Sequence, residues 1–158
     1  MVKKYVFGTP IETDAVVKEI KETSWKDDIF QKEGNVFHYL LKQDEIVYGL
    51  GENVRGMNKR GWRYVSNCSD NPNHCEHTNS LYGAHNFIMM GDGVSETYGL
   101  FVDTPGTVTF DVGYTDIDRL SIAMENENYK IYLIEGQTYQ DVVREFREMI
   151  GRSYIAPR

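Results

Sequence analysis

The sequence predicts a mainly β protein, an antiparallel β-sandwich with a helix near its C-terminus. Short runs rich in Val, Thr, Tyr and Phe alternate with turn signals, which is the pattern of half-buried strands in such a sandwich. The length of 158 residues is that of one domain, large enough to bury a core without metal ions or disulfides. These observations together indicate a compact antiparallel domain.

Seven runs along the chain have the composition of strands. The longest of them is closed by Gly91-Asp92-Gly93, whose glycines tolerate the positive φ angles of a tight turn. The predicted strands span residues 36–41, 46–48, 81–90, 98–102, 107–112, 120–124 and 130–134.

The C-terminal helix has the clearest local signals. Thr138 is placed to cap its N-terminus, and Asp141, three residues later, completes a capping box. Gly151 suits the left-handed conformation that often ends a helix. The apolar residues at helical spacing form one stripe: Val142, Val143, Phe146, Met149 and Ile150.

A second, shorter helix is predicted at residues 14–21. Thr13 is its candidate N-cap, and Val16, Val17 and Ile20 share one face. We divide the chain into a sandwich domain at residues 1–137 and a helix with its connector at residues 138–158.

Composition excludes several classes of protein. The 24 acidic residues outnumber the 17 Lys and Arg, and the formal net charge of −7 disfavours binding to nucleic acid or to an anionic membrane. No apolar run approaches the roughly 18 residues of a membrane span, and the run before Gly8 is too short for a signal peptide. We therefore expect a cytoplasmic protein with Cys68 and Cys75 as free thiols, with one disulfide as the alternative.

A long polar segment at residues 66–80 stands apart from the strands. Loops of this length are often functional. Trp62, Tyr64 and Tyr82 flank this segment, and hydroxyl-rich ligands such as sugars require a similar mixture of polar and aromatic groups. Its donors and acceptors are Asn67, Asp70, Asn71, Asn73, His74, Glu76, His77 and Asn79.

Short motifs in a fixed order extend this interpretation to a family. They are YGLGE at 48–52 with NKRG at 58–61, LYGAHNF at 81–87, YGLFVD at 98–103, TFDVG at 109–113, the stretch from Glu125-Asn126 to Ile134-Glu135-Gly136, and IGR at 150–152 with IAP at 155–157. In this order they resemble the N-terminal region of glycoside hydrolase family 31, the α-glucosidase and α-xylosidase family. The resemblance implies a galactose mutarotase-like sandwich whose C-terminal helix leads into a (β/α)8 barrel.

The resemblance also implies where catalysis takes place. In this family, two carboxylates on the barrel carry out retaining hydrolysis, which needs them about 5–5.5 Å apart. Both family positions lie beyond the last motif, so we expect no catalytic residue and no cofactor in this chain. The expected parent is an α-glucosidase acting on α-glucoside oligosaccharides, and the 158-residue chain alone is expected to be inactive.

Asp70 is the residue that best matches the family's substrate-binding Asp, although the chain reads Ser-Asn-Cys-Ser-Asp where the family commonly has Trp-Asn-Thr-Asp. The missing aromatic residue and the extra residue leave this alignment open by one position, and Asn67 and Asn71 are the neighbouring residues. A carboxylate suits sugar hydroxyls because charge-assisted hydrogen bonds are strong. The structural alternative is that Asp70 only starts the turn at residues 70–73.

Other clusters fit structural roles better than chemical ones. The spacing of the Cys and His residues at positions 68–77 does not suit zinc, and the Asn67-Cys68-Ser69 sequon has no secretion signal before it. We expect Glu52, Lys59 and Arg60 to form a structural ion-pair cluster. His85 is expected to be a hydrogen-bonded histidine of the core or of an interface.

Two rival functions remain open. Antiparallel sandwiches with aromatic and polar loops also serve as free-standing carbohydrate-binding modules. A sugar mutarotase-type enzyme would need a convergent His and Glu pair, for which His74, Glu76 and His77 are the candidates. On the family interpretation, the helix stripe with Tyr154 and Ile155 forms an exposed patch wherever the barrel does not cover it.

Overall fold

The computed structural model describes residues 1–153, which form two antiparallel sheets and one helix. The sandwich fold expected from the sequence is confirmed. The elements in chain order are β1 Val2–Phe7, β2 Phe30–Glu33, β3 Val36–Leu40, β4 Ile46–Gly51, β5 Trp62–Ser66, β6 Ala84–Gly91, β7 Thr97–Asp103, β8 Val108–Val112, β9 Arg119–Met124, β10 Tyr129–Gly136 and α1 Tyr139–Ile150.

The strands are divided between two five-stranded sheets. Sheet A has the order β1-β10-β7-β6-β4, and sheet B has the order β2-β3-β9-β8-β5. Alternate side chains of each sheet enter one apolar core, which contains Val47, Leu100 and Ile131 from sheet A and Phe37 and Phe110 from sheet B.

Helix α1 covers the outer face of sheet A. Val142, Phe146 and Met149 are buried in a second apolar cluster with residues of β6, β7 and β10. The apolar stripe therefore packs against this domain, and the expectation that it forms an exposed patch was wrong. Val143 alone of the stripe is exposed, whereas Tyr154 and Ile155 lie outside the described residues.

The predicted ends of α1 are confirmed. Thr138 accepts a hydrogen bond from the backbone N–H of Asp141, and the Asp141 carboxylate accepts one from the backbone N–H of Thr138. Gly151 follows the helix as predicted and has a positive φ of +92°, but its ψ of 166° lies outside the left-handed region that was expected. The division of the chain between residues 137 and 138 stays a prediction.

The helix predicted at residues 14–21 does not form, and this segment instead crosses the outer face of sheet A as an irregular strap. Thr13 donates a hydrogen bond to the buried Asp103 carboxylate, and the backbone N–H groups of Val17 and Lys18 donate to the carbonyl of Met149. A helix of two turns is marginal by itself. Tertiary contacts with β7 and α1 therefore decide the conformation.

Three strands were not predicted from the sequence: β1, β2 and β5. All three are edge strands of their sheets, and most of their side chains are half-buried or exposed. The strand predicted at 81–90 begins later, at Ala84, because residues 81–83 belong to the preceding loop.

Candidate functional site

The polar segment singled out in the sequence is one of the connections between the two sheets. It runs from residue 67 to residue 83, leaving β5 in sheet B and entering β6 in sheet A. We call it the β5–β6 loop. Residues 67–77 are all exposed, and no strand or helix forms in the loop. It therefore presents a continuous polar surface at one end of the sandwich.

Local hydrogen bonds give this loop a defined shape. The backbone N–H of Ser69 donates to the carbonyl of Leu81 at 3.0 Å, which joins the outgoing arm to the returning arm. A turn is closed where the N–H of Thr78 donates to the carbonyl of Cys75 at 2.9 Å. The N–H of Cys75 donates back to the Thr78 hydroxyl at 3.0 Å.

The loop also packs against aromatic side chains at its base. The ring of His77 lies 6.4 Å from the ring of Trp62, and His74 lies 5.6 Å from Tyr82, both in edge-to-face orientation. Sequence inspection found these aromatic residues as flanking groups. The structure shows that they act as supports for the loop histidines.

Asp70 lies in the most exposed part of the loop. Within residues 1–153, its carboxylate takes part in no hydrogen bond and no ion pair. The turn that follows is closed by Asn71, whose side-chain oxygen accepts the N–H of Asn73 at 3.0 Å. Asp70 therefore does not have the turn-starting role that was its structural alternative, and its role toward a sugar stays a prediction.

Two concave surfaces meet at Asn67. One, of about 450 Å³, lies inside the loop and is lined by polar side chains that include Asn71, Asn73 and His77. The other, of about 550 Å³, lies toward sheet A and is lined by groups that include His85 and Asp103. Asp70 lines neither surface, so the structure does not bring it together with these groups.

His85 is exposed near the start of β6, so it is not a core histidine, and the interface role expected for it stays a prediction. Its ring is 5.8 Å from that of Phe146 and 6.1 Å from that of Phe101, where β6, β7 and α1 meet. Partial desolvation of the ring lowers the pKa of His85 below its usual value. The expected hydrogen bond to this ring is not found in the part of the chain that the structure describes.

Glu52, Lys59 and Arg60 do not form the predicted ion-pair cluster. The Glu52 carboxylate accepts the N–H of Gly83 at 3.1 Å, and Arg60 donates to several backbone carbonyls. Lys59 is buried and donates to the side-chain oxygen of Asn53 at 2.8 Å. Burial, with a smaller effect of the Arg55 charge, lowers the pKa of Lys59. Each of these groups therefore holds backbone in place.

Arg55 gave no signal in the sequence but joins the loop to strand β5 of the sandwich. Its Nε donates to the carbonyl of Glu76 and its Nη1 to the carbonyl of Arg63, both at 2.7 Å. The guanidinium carbon lies 4.3 Å from the centre of the Trp62 ring and 5.0 Å from that of Tyr64. Only a structure reveals this role, because its acceptors are main-chain atoms.

The described residues offer no metal site and no mutarotase pair. No group of three or more His, Cys, Asp or Glu among residues 1–153 is arranged to hold a metal ion. Cys68 and Cys75 are exposed free thiols, and the Thr78 hydroxyl bonded to Cys75 lowers the pKa of that thiol. Among the same residues, the His ring that lies within 4.0 Å of a carboxylate is that of His38, which is near Glu33. The mutarotase candidates His74 and His77 do not approach the Glu76 carboxylate in this way.

One helix falls within the described part of the chain, and it is too short and too polar to span a membrane. The cytoplasmic location expected from the sequence stays a prediction.

Comparisons with known proteins extend these observations. The family model described as the glycosyl hydrolase 31 N-terminal galactose mutarotase-like domain matches residues 8–111. An alpha-glucosidase of Saccharolobus solfataricus is 29% identical over 118 residues, which are 74% of this chain and 17% of that protein. The alpha-xylosidase XylQ of Lactiplantibacillus pentosus is 29% identical over 116 residues, covering 72% of this chain and 14% of the relative.

Solved structures show the same fold. A cycloalternan-degrading enzyme from Trueperella pyogenes, in complex with isomaltose, superimposes with a TM-score of 0.73 at 21% identity, over 84% of this chain and 21% of that one. The Flavobacterium johnsoniae GH31 dextranase superimposes with a TM-score of 0.69 at 24% identity, over 84% and 16%. The family match covers most of the chain. The chain therefore belongs to the family of glycosyl hydrolase 31 N-terminal galactose mutarotase-like domains.

Proposed function

We propose that this chain is the N-terminal domain of a longer retaining α-glucosidase. In this proposal, the β5–β6 loop reaches the pocket that binds terminal α-linked glucose, and the catalytic carboxylates lie on a (β/α)8 barrel outside the chain. The curated relatives support this division of labour, because they are named as an alpha-glucosidase and an alpha-xylosidase and the chain spans only 17% and 14% of their lengths. The 158-residue chain alone then has no hydrolytic activity.

The observation that carries the proposal is the state of Asp70. It is exposed, and its carboxylate has no hydrogen-bond or ion-pair partner in residues 1–153, while backbone hydrogen bonds give the loop around it a defined shape. A free carboxylate on a shaped loop can accept hydrogen bonds from sugar hydroxyls without first breaking bonds within the protein. Such charge-assisted bonds are roughly twice as strong as neutral ones.

The test is to replace Asp70 in the full-length protein. We expect Asp70→Ala to lower kcat/KM on maltose or isomaltose about tenfold or more, in line with loss of a hydrogen bond to a charged group. Asp44→Ala is the matched control, because Asp44 is also an exposed Asp but precedes β4, at the end of that strand that pairs with Gly91 and lies away from the loop. Equal kinetics for the wild type and Asp70→Ala would remove this residue from the substrate site.

Titration with the isolated chain separates this proposal from its rivals. The accessory role predicts no measurable binding of isomaltose or maltose to the 158-residue chain, whereas a carbohydrate-binding module would bind. A mutarotase would speed the change in optical rotation of a pure glucose anomer. The described residues do not support that chemistry, since no His ring lies within 4.0 Å of the Glu76 carboxylate.

A further inference from the structure

We propose that Arg55 is a positioning residue, which holds the β5–β6 loop in the conformation that presents Asp70 to the sugar. This inference rests on the proposed function of that loop. It assigns a role to a residue outside the loop. Arg55 contacts neither Asp70 nor the concave surfaces on the two sides of Asn67.

The first step is the place at which Arg55 binds. Strand β5 is an edge strand of sheet B and pairs only with β8 in the described structure. Arg55 donates to the carbonyl of Arg63 on β5 and to the carbonyl of Glu76 in the loop. One guanidinium therefore joins the returning arm of the loop to the edge of the sheet.

The second step is the support for the guanidinium itself. It lies over the rings of Trp62 and Tyr64, at distances typical of cation–π contacts. Lys59 fixes the backbone around Arg55, because its ammonium donates to the carbonyl of Gly56 at 2.9 Å. The Arg55 side chain is thus held before it meets the loop, which reduces the entropy cost of holding the loop in one conformation.

The third step is the kind of partner that Arg55 has. Arg63 and Arg144 bind the carboxylates of Asp111 and Asp141, whereas Arg60 donates to backbone carbonyls. Arg55 has no carboxylate partner within residues 1–153, and its hydrogen bonds go to main-chain carbonyls. Bonds to main-chain atoms fix the path of the loop whatever side chains the loop carries.

The last step links Glu76 to Asp70. Glu76 lies inside the turn that Cys75 and Thr78 close, and the returning arm is joined to the outgoing arm by the bond from Ser69 to Leu81. Asp70 follows Ser69 directly. Release of Glu76 should therefore loosen the returning arm and, through the bond at Ser69, the segment that carries Asp70.

Limited proteolysis tests whether Arg55 holds the loop. Endoproteinase Glu-C cuts after Glu76, and neither Arg55→Ala nor Arg55→Lys adds or removes a site for it. We expect cleavage at Glu76 in the 158-residue chain to be about tenfold faster in Arg55→Ala, as for loss of a hydrogen bond from a charged donor. Arg55→Lys keeps the positive charge but not the planar guanidinium that donates to two carbonyls, so its cleavage rate should be intermediate. Arg147→Ala, on the exposed face of α1, should be cleaved at the wild-type rate.

Kinetics of the full-length protein test whether this positioning matters for the sugar. Arg55→Ala should raise KM several-fold with kcat changed less, and Arg55→Lys should restore part of the loss. Unchanged cleavage at Glu76 in Arg55→Ala overturns the inference. Unchanged kinetics in Arg55→Ala also overturns it if Asp70→Ala still impairs the enzyme, whereas unchanged kinetics in both variants overturns the proposed function itself.

Discussion

The rings of Phe87 and Phe146 are stacked in parallel, with their centroids 3.8 Å apart and an interplanar angle of 5°. Phe87 belongs to β6 of sheet A, and Phe146 belongs to α1. Because Phe146 also contacts the ring of Phe101 on β7, the helix is joined to two strands at once. Helix α1 therefore contributes to the apolar cluster on the outer face of sheet A.

Truncating this contact should destabilise the whole domain. Phe146 is 7% exposed, so we expect Phe146→Ala to lower the free energy of unfolding by about 3–5 kcal/mol. Val143→Ala on the same helix is the control, and it should cost less than about 1 kcal/mol because Val143 is 38% exposed. Urea unfolding followed by circular dichroism measures both. Similar midpoints for Phe146→Ala and Val143→Ala would mean that the helix does not contribute to the core.

The close approach of α1 to sheet A depends on Gly99. A Cβ at this position would lie 2.5 Å from Cγ1 of Val142 and 3.1 Å from the ring of Phe87. We expect Gly99→Ala to cost about 1–3 kcal/mol through overpacking. Adding Val142→Ala should recover part of this cost, because the two changes act on one space.

The control for this pair is Gly56→Ala, since a Cβ at Gly56 meets nothing within 4 Å. Unfolding midpoints of the four variants and the wild type give the coupling energy between positions 99 and 142. Strictly additive effects of Gly99→Ala and Val142→Ala would show that the helix and the sheet are not in the close contact described.

Patterns of adjacent residues were enough to predict the sandwich and both ends of α1. Thr138 and Asp141 bond to each other within one helical turn, so their roles can be read from the sequence. The strap could not be predicted in this way. Its conformation depends on Asp103 and Met149, which are 90 and more than 130 positions away from it in the chain.

In the candidate site, too, features of local sequence could be predicted, whereas contacts between distant residues could not. The polar composition of residues 66–80 and the exposure of Asp70 agree with the sequence-based expectation. Arg55 was missed because a guanidinium that binds carbonyls has no characteristic spacing to its acceptors, which here are at Arg63 and Glu76. The ion pairs expected for Glu52 and Lys59 do not form for a related reason. The Glu52 carboxylate accepts the N–H of Gly83, and Lys59 donates to the side-chain amide oxygen of Asn53.

The capping box of α1 should contribute measurably to stability. Thr138→Ala removes the hydroxyl that accepts the N–H of Asp141, and loss of such a cap typically costs about 1 kcal/mol. Thr138→Ser keeps the oxygen and should remain close to the wild type. Thermal unfolding of the three proteins is the measurement. Equal destabilisation by Ala and Ser would attribute the effect to the lost methyl group instead.

The loss of folding stability at low pH should depend on Asp111. Burial alone would raise its pKa, but hydrogen bonds from Thr115, Arg63 and the backbone N–H of Tyr114 together hold this pKa below the usual 3.8. A carboxyl with a lowered folded-state pKa adds stability that is present above its unfolded pKa. That stability is lost as the pH falls through the folded-state pKa.

Asp111→Asn should therefore cost about 1–2 kcal/mol at neutral pH, a figure that allows for solvent around the exposed Arg63. The difference from the wild type should shrink as the pH is lowered from 5 toward 2. Urea midpoints measured across this range test the expectation, with the exposed Asp118→Asn as the control. A difference that stays constant with pH would mean that the charge of Asp111 does not contribute.

The strap should be released when its hydrogen bond to sheet A is removed. Thr13 donates to a carboxylate oxygen of Asp103, which is 6% exposed, so Thr13→Val leaves a buried charge without this donor. We expect a loss of about 1–3 kcal/mol, and Thr13→Ser should avoid most of it because it keeps the hydroxyl.

Hydrogen exchange shows whether this loss is local to the strap. The amides of Val17 and Lys18 are protected by the carbonyl of Met149, so they should exchange faster in Thr13→Val than in Thr13→Ser. The exchange rates of the β10 amides should change only as much as the loss of global stability requires. Unchanged protection at Val17 in Thr13→Val would mean that the contacts with α1 hold the strap without help from Asp103.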